Sequence, residues 1–270
     1  MLTPLQQKLL DMLSWFHEFC VSNHLRYYLI EGSMLGAARH HGFIPWDDDV
    51  DVGMPRRDYD RLMEIFSDSN NKYVLETPYS QKSDYIYPCS KLYDATTTYV
   101  EKARKICKRG IFIDVFPLDG MGNTIEESKK YYEKIDFLNM LLATRVCALS
   151  KDRAFVKNAS IIVSRIIPDF IIPVQTLLKR IDTQCKQKDY DDCEYVTCAM
   201  STYRDKEIIE RSVYGEPQLY DFEDIQVYGV EHYDEYLAHI YGNWRKLPSK
   251  EQQMPRHNYV YIDLEKSYIS

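Results

Sequence analysis

The chain is expected to adopt an α/β (α+β) fold: a mixed sheet with flanking helices, and a mostly helical C-terminal half. Three observations carry this expectation. Short β-branched and aromatic runs alternate with segments of helical periodicity through residues 1–120. Long helical patterns then follow, from Glu126 to about Leu149 and from Ala159 to Leu178. The chain has 270 residues, 45% hydrophobic and 28% charged, which is ordinary globular composition with enough length for a substantial core.

Taken in order, Thr3 can N-cap a helix with Pro4 at its first position, and Leu5, Leu9, Met12, Leu13, Phe16 and Cys20 recur on one face of it. Arg26 to Ile30 reads as a strand entering a Gly32-Ser33 turn, and Ser33 to His40 as a short helix. Asp48 to Met54 reads as the next strand, ended by Pro55, with a helix carrying Tyr59, Leu62, Met63 and Phe66 behind it. Tyr73 to Leu75, Tyr85 to Tyr93 and Thr96 to Val100 are further strand candidates, and Lys102 to Lys108 reads as a basic linker. Ile111 to Phe116 is a buried strand closed by a turn at Pro117-Leu118-Asp119-Gly120. Pro168 and Pro173 forbid one straight helix across Ala159–Leu178. That stretch reads as a broken core or lid helix, or as a segment contacting a membrane surface. Asp234 to Tyr241 is helical, with Gly242 able to take the left-handed conformation at its end.

The chemistry concentrates at Asp47-Asp48-Asp49-Val50-Asp51. On a strand, Asp47, Asp49 and Asp51 share one face. Side-by-side acids on a half-buried strand repel unless a cation compensates them. Carboxylates completed by phosphate oxygens are the usual Mg²⁺ arrangement, and the bare backbone of Gly32 and Ser33 can approach a phosphate. A calcium loop is excluded, because Val52 stands at the required turn glycine and Asp58 at the closing glutamate. Asp114, alone within Ile111–Phe116, needs a metal, a cationic substrate or a core salt bridge to offset its desolvation. Two acids from one strand and one from a later strand form the set that polymerase-β-like nucleotidyltransferases place on adjacent strands.

Composition narrows the alternatives. A formal net charge of −7 with no long basic block disfavours nucleic acid as a partner. Seven scattered cysteines without a CxxC pair suit a reducing cytoplasm, and Cys185, Cys193 and Cys198 read as buried small hydrophobes rather than zinc ligands. The N-terminus lacks a continuous apolar signal region, so a cytoplasmic protein, at most at the inner membrane face, is expected.

The stretch from Tyr28 through Glu31-Gly32-Ser33-Met34-Leu35-Gly36-Ala37-Ala38-Arg39-His40, with Gly42-Phe43-Ile44-Pro45-Trp46-Asp47-Asp48-Asp49-Val50-Asp51, resembles the LicD family, which has fukutin-type proteins as distant relatives. The likeness continues through Met54–Tyr59, Gly110–Pro117 and Tyr241-Gly242-Asn243-Trp244, where Asn243 stands in a slot that usually holds Asp. The resemblance implies a nucleotidyltransferase-like catalytic core over 1–120, with the region 121–270 packed on it to bind the acceptor. It implies a metal-dependent phosphotransferase moving a phospho-alcohol from a CDP-linked donor to a hydroxyl of a glycan or lipid-linked glycan precursor, releasing CMP. CDP-choline is the expected donor, with ribitol-type donors also open. Asp49, Asp51 and Asp114 are the expected catalytic acids, and Asp47, Asp49, Asp51 and Asp114 the expected ligands of Mg²⁺ or Mn²⁺. Gly32, Ser33, Arg39, His40, Lys91, Arg256 and His257 are the expected substrate contacts. The alternatives are a true nucleotidyltransferase that leaves the nucleotide on its product, and a non-catalytic metal- or nucleotide-binding module.

Overall fold

The computed structural model describes residues 2–66, 72–79, 84–149, 154–255 and 259–269. The first helix, α1 (Pro4–Ser22), starts on a reciprocal cap: the Gln6 N–H donates to Thr3 Oγ1 at 3.1 Å and the Thr3 N–H to Gln6 Oε1 at 3.0 Å. Its apolar stripe, including Leu9, Leu13 and Phe16, is buried against the sheet. There follow β1 (Tyr28–Leu29), α2 (Glu31–His40), β2 (Asp51–Pro55), α3 (Arg56–Ile65), β3 (Tyr73–Glu76), β4 (Ser90–Asp94), β5 (Thr98–Lys102), β6 (Ile106–Arg109) and the long β7 (Phe112–Gly122). The second half holds α4 (Ile125–Val146), α5 (Phe155–Ile166), α6 (Val174–Cys185), β8 (Tyr195–Thr197), β9 (Ile209–Glu210), α7 (Arg211–Tyr214), β10 (Gln218–Phe222), β11 (Ile225–Gly229), α8 (Tyr233–Tyr241) and β12 (Tyr259–Asp263).

The main sheet runs β10-β11-β1-β2-β7-β4-β3, with β8 and β9 extending from the far end of β7. It is mixed: β1 with β11 and β2 with β7 are parallel, and the other pairs are antiparallel. Strands from both sides of residue 120 therefore build one sheet, because the β10–β11 hairpin docks beside β1. A separate three-stranded sheet has the order β12-β5-β6. α1, α2, α3 and α8 pack on the main core, while α4 and α6 enclose a second cluster around Tyr132, Ile135, Leu178 and Ile181.

Four expectations are corrected. Gly32 and Ser33 do not form a turn ahead of the helix but lie in the first turn of α2, which begins at Glu31. β2 begins at Asp51, so Asp47–Asp49 lie on an irregular approach to the strand rather than within it. Residues 102–108 are not a linker but most of the β5–β6 hairpin. Pro117–Gly120 is not a turn, since β7 runs through it. Its N-terminal half pairs with β2 and β4, and Asp119 and Gly120 pair with β8. The reason is tertiary. Asp119 is fully buried on the Arg56 guanidinium, at 2.6 Å from Nε and 2.9 Å from Nη2. Gly120 lies so close to the Asp189 backbone that a Cβ would sit 2.2 Å from its carbonyl oxygen. The break between α5 and α6 at 167–173 is where the prolines place it, and Gly242 closes α8 at φ +68°.

Candidate active site

Register places the charged residues before any side-chain contact does. Asp51 on β2 pairs with Asp114 on β7, Asp114 with Lys91 on β4, and Lys91 with Glu76 on β3. Residues opposite one another on neighbouring strands project to the same face. One row of the sheet thus carries two acids, a lysine and a further acid. Lys91 Nζ sits 2.7 Å from Asp114 Oδ1, and Arg109 Nε sits 2.8 Å from Glu76 Oε2. The two acids at the other end open into a cavity of about 500 Å³. That volume is typical of a small-molecule site.

Among the described residues five carboxylates line this cavity: Glu31, Asp47, Asp49, Asp51 and Asp114. Two cationic side chains among the described residues, Arg39 and Lys246, share the wall with them. Gln6 links helix cap to site, since its Nε2 donates to the Asp47 carbonyl at 2.9 Å. Asp47, Asp48 and Asp49 bring carboxylate oxygens within 4.8 Å of one another, the only such group of three or more candidate ligands among the described residues. Asp48 joins its neighbours there because the segment is not a strand, and strand alternation does not separate it from them.

Burial pushes the Asp51 carboxyl well above the usual range, and the charges of Asp49, Glu31, Asp114 and Asp47 push it further. Burial likewise raises Glu31 to about 7; Ser201 opposes this through a hydrogen bond, and Asp49 and Asp114 add to it. Glu31 Oε1 is buried without a hydrogen-bond partner. Hard oxygen donors crowded at one place are what a divalent cation such as Mg²⁺, Ca²⁺ or Mn²⁺ requires. Asp47 and Asp49 fit such an ion, while Asp51 and Asp114 line the same cavity outside that close group.

The other expected contacts divide. Gly32 lines the cavity, and a Cβ there would come within 3.1 Å of Asp47 Oδ2. Ser33 is buried behind the wall; its Oγ accepts the Asp51 N–H at 2.9 Å, so it orients the strand entry. Arg39 lines the cavity, anchored by Nη1 on the Trp244 carbonyl at 2.8 Å. Its Nε donates to His40 Nε2 at 3.0 Å, and burial with Arg39 keeps His40 below its ordinary range, as a neutral acceptor must be. Lys91 is buried beneath Asp114, with its ammonium 3.5 Å from the Phe112 ring centroid. Arg256 and His257 lie outside the described residues.

Sequence reasoning passed over Glu31, although it adjoins Gly32. It occupies a left-handed backbone conformation at φ +47°, unusual without a glycine, and the Tyr236 hydroxyl accepts its N–H at 3.1 Å. Glu207 was also missed. It is fully buried, accepts from Ser201 Oγ at 3.0 Å, and is raised by burial and by the charge of Glu31. It comes from a short 3₁₀ turn far along the chain, and no local signal marks it.

Two predictions follow from this geometry. Ser33→Ala removes a neutral hydrogen bond and should cost about 0.5–1.5 kcal/mol of stability in urea unfolding. Loss of more would mean that Ser33 holds more than the Asp51 backbone. Metal-free stability should also fall as pH rises. Glu31 titrates near 7 when folded, against 4.5 for the ordinary group, so the folded state holds the extra proton between those values. Stability should therefore drop from about pH 4.5 to pH 7 in urea melts, and Glu31→Gln should flatten that slope.

Comparison with known proteins gives the site a context. Residues 24–140 match the family model described as LicD/FKTN/FKRP, nucleotidyltransferase domain. The chain is 28% identical over 264 residues to the lipopolysaccharide cholinephosphotransferase LicD of Haemophilus influenzae, covering 95% of this chain and 96% of that protein. It is 63% identical over 30 residues to the human ribitol 5-phosphate transferase FKRP, covering 11% of this chain and 6% of that protein. An uncharacterized protein of Rickettsia prowazekii is 43% identical over 49 residues, 18% of each chain.

Proposed function

We propose that this chain, whose residues 24–140 match the LicD/FKTN/FKRP family model, is a metal-dependent transferase with a nucleotidyltransferase-type catalytic core. It moves phosphocholine from a CDP-linked donor to a hydroxyl of a cell-surface glycan precursor and releases CMP. The observation that carries this reading is the convergence of Glu31, Asp47, Asp49, Asp51 and Asp114 on one cavity of ligand size. Similarity to a cholinephosphotransferase along nearly the whole chain supports it.

Asp47, Asp49 and Asp51 would hold Mg²⁺ or Mn²⁺, with Asp114 beside them. Bound there, the ion supplies neutralisation of charge on the donor's diphosphate. Asp114, held by Lys91, accepts the proton of the acceptor hydroxyl. The acceptor oxygen bonds to the phosphorus of the phosphocholine unit as that phosphorus–oxygen bond to CMP breaks. Gly32 leaves room for the diphosphate, and Arg39 meets it from the cavity wall. Trp46, Phe116, Tyr203, Tyr241 and Trp244 line the same cavity, with the Tyr203 and Tyr241 rings 5.4 Å apart. Aromatic faces of this kind suit a quaternary ammonium better than a polyol. Met200, Ser201, Thr202 and Lys246 bring the region 121–270 to the wall, the side from which an acceptor would be bound.

Incubation with Mg²⁺ and CDP-choline, with a glycan precursor as acceptor, tests the reading by mass spectrometry. Free CMP with a phosphocholine-bearing product is expected. A product retaining CMP would instead identify a nucleotidyltransferase, and turnover of CDP-ribitol alone would reassign the alcohol. No turnover of any CDP-alcohol would remove the proposal.

A further inference from the structure

α5 is amphipathic in the reverse sense for a surface helix. The side turned to the body carries Ile161 and Ser164, and Ser164 Oγ donates to the Thr144 carbonyl of α4 at 2.7 Å. The Arg145 guanidinium, itself buried, accepts the end of the helix by donating to the carbonyls of Ser164 and Ile167, the latter at 2.8 Å. The apolar side faces outward: Phe155, Val156, Val163 and Ile166, with Phe170 just beyond, are each at least 61% exposed. At 3.6 residues per turn the four helical positions lie within a stripe about 100° wide. An exposed apolar patch of this kind marks an interaction surface.

Its surroundings are cationic, although the chain's net charge is −7. Residues 154–168 include Lys157 and Arg165, both exposed, and no acid. The β5–β6 hairpin lies alongside. The Arg104 N–H donates to the Val146 carbonyl at 2.9 Å, and its guanidinium pairs with Asp169 at 3.1 Å. Lys105 and Lys108 of that hairpin are exposed, and Ile106 between them is 74% exposed; Arg109 is turned away onto Glu76 and Asp84. An apolar stripe set among cations complements an anionic bilayer, where the apolar side chains enter the headgroup boundary and the cations meet phosphates. A soluble acidic partner would leave the stripe unexplained. Among the described residues no helix is long and apolar enough to cross a membrane.

We propose that α5, the segment through Phe170 and the β5–β6 hairpin form a peripheral docking surface for an anionic lipid membrane. The contact is independent of the catalytic reading and stands or falls without it.

Co-sedimentation of the full chain with vesicles tests it. The chain should sediment with vesicles of equimolar phosphatidylglycerol and phosphatidylcholine and not with phosphatidylcholine alone. Binding should weaken as salt rises, since screening shortens from about 10 Å to about 3 Å between 0.1 and 1 M. The triple variant Phe155→Ser, Ile166→Ser, Phe170→Ser should bind about tenfold more weakly or less, with an unchanged melting temperature. Lys105→Gln with Lys157→Gln and Arg165→Gln should lose the preference for anionic vesicles. Absence of wild-type sedimentation, or binding indifferent to salt and lipid charge, would overturn the proposal. So would a dimer in sedimentation velocity that the triple variant dissolves while neither protein binds vesicles. The salt dependence of the wild type decides the matter even if a variant fails to fold.

Discussion

Asp51→Asn should abolish transfer and at the same time stabilise the metal-free protein. The two effects have one cause. Burial and four neighbouring carboxylates hold the Asp51 carboxyl well above its usual range. Its charge therefore costs stability, and that cost is present at high pH and vanishes as the group protonates. The amide keeps the shape and removes the charge. Thermal midpoints without metal should be higher for the variant at pH 8 and converge with the wild type toward pH 5. The stabilisation conferred by added Mg²⁺ should shrink in the variant. Turnover should fall by about 10³-fold or more, as expected for loss of a ligand that neutralises diphosphate charge. A variant that is both less stable and still active would contradict the role given to Asp51.

Arg56→Ala should be the most damaging single change to the fold away from the cavity. Arg56 is 6% exposed and joins three elements: α3, which it starts, β7 through Asp119, and α6 through Asp182 at 3.1 Å from Nη1. Removing it leaves Asp119 buried without its cation, and breaking a buried pair in this way costs about 3–5 kcal/mol. Arg57, next to it, pairs with Asp189 at 2.8 Å through a side chain 62% exposed. Its replacement by Ala should stay within about 1 kcal/mol. Urea unfolding of both variants measures the contrast. Equal losses would show that burial of the Arg56 network is not what joins the α6 layer to the sheet.

The parts of the molecule governed by local chemistry were legible in the sequence. The Thr3 cap with Pro4 behind it, the proline break between α5 and α6 and the Gly242 stop all depend on residues within a few positions of one another. Asp51 and Asp114 were also readable, because an acid within a β-branched run carries its desolvation problem in plain view. Features decided by tertiary partners were not. Val50 and Val52 alternate with the acids as a strand would, yet pairing starts only at Asp51 with β7 and at Val52 with β1. The Pro117–Gly120 turn signal gave way to the Asp119–Arg56 pair and the close approach of Gly120 to Asp189. Lys91 resembled a phosphate ligand until the register set it beneath Asp114. The charge density of residues 102–108 hid a hairpin whose pairing partner, β5, is adjacent. Glu31 and Glu207 meet across a long stretch of chain, and a left-handed backbone at Glu31 leaves no mark in its neighbours' identities.

Direct titration with Mn²⁺, followed by electron paramagnetic resonance of the free ion, bears most immediately on the idea that these carboxylates tolerate one another by sharing a cation. Saturable binding is expected, tightened by CDP-choline and weakened at least about tenfold in Asp49→Asn and Asp51→Asn. If the wild type leaves the free-ion signal unchanged, or both variants bind as the wild type does, the acids have another purpose and the assignment of this cavity fails.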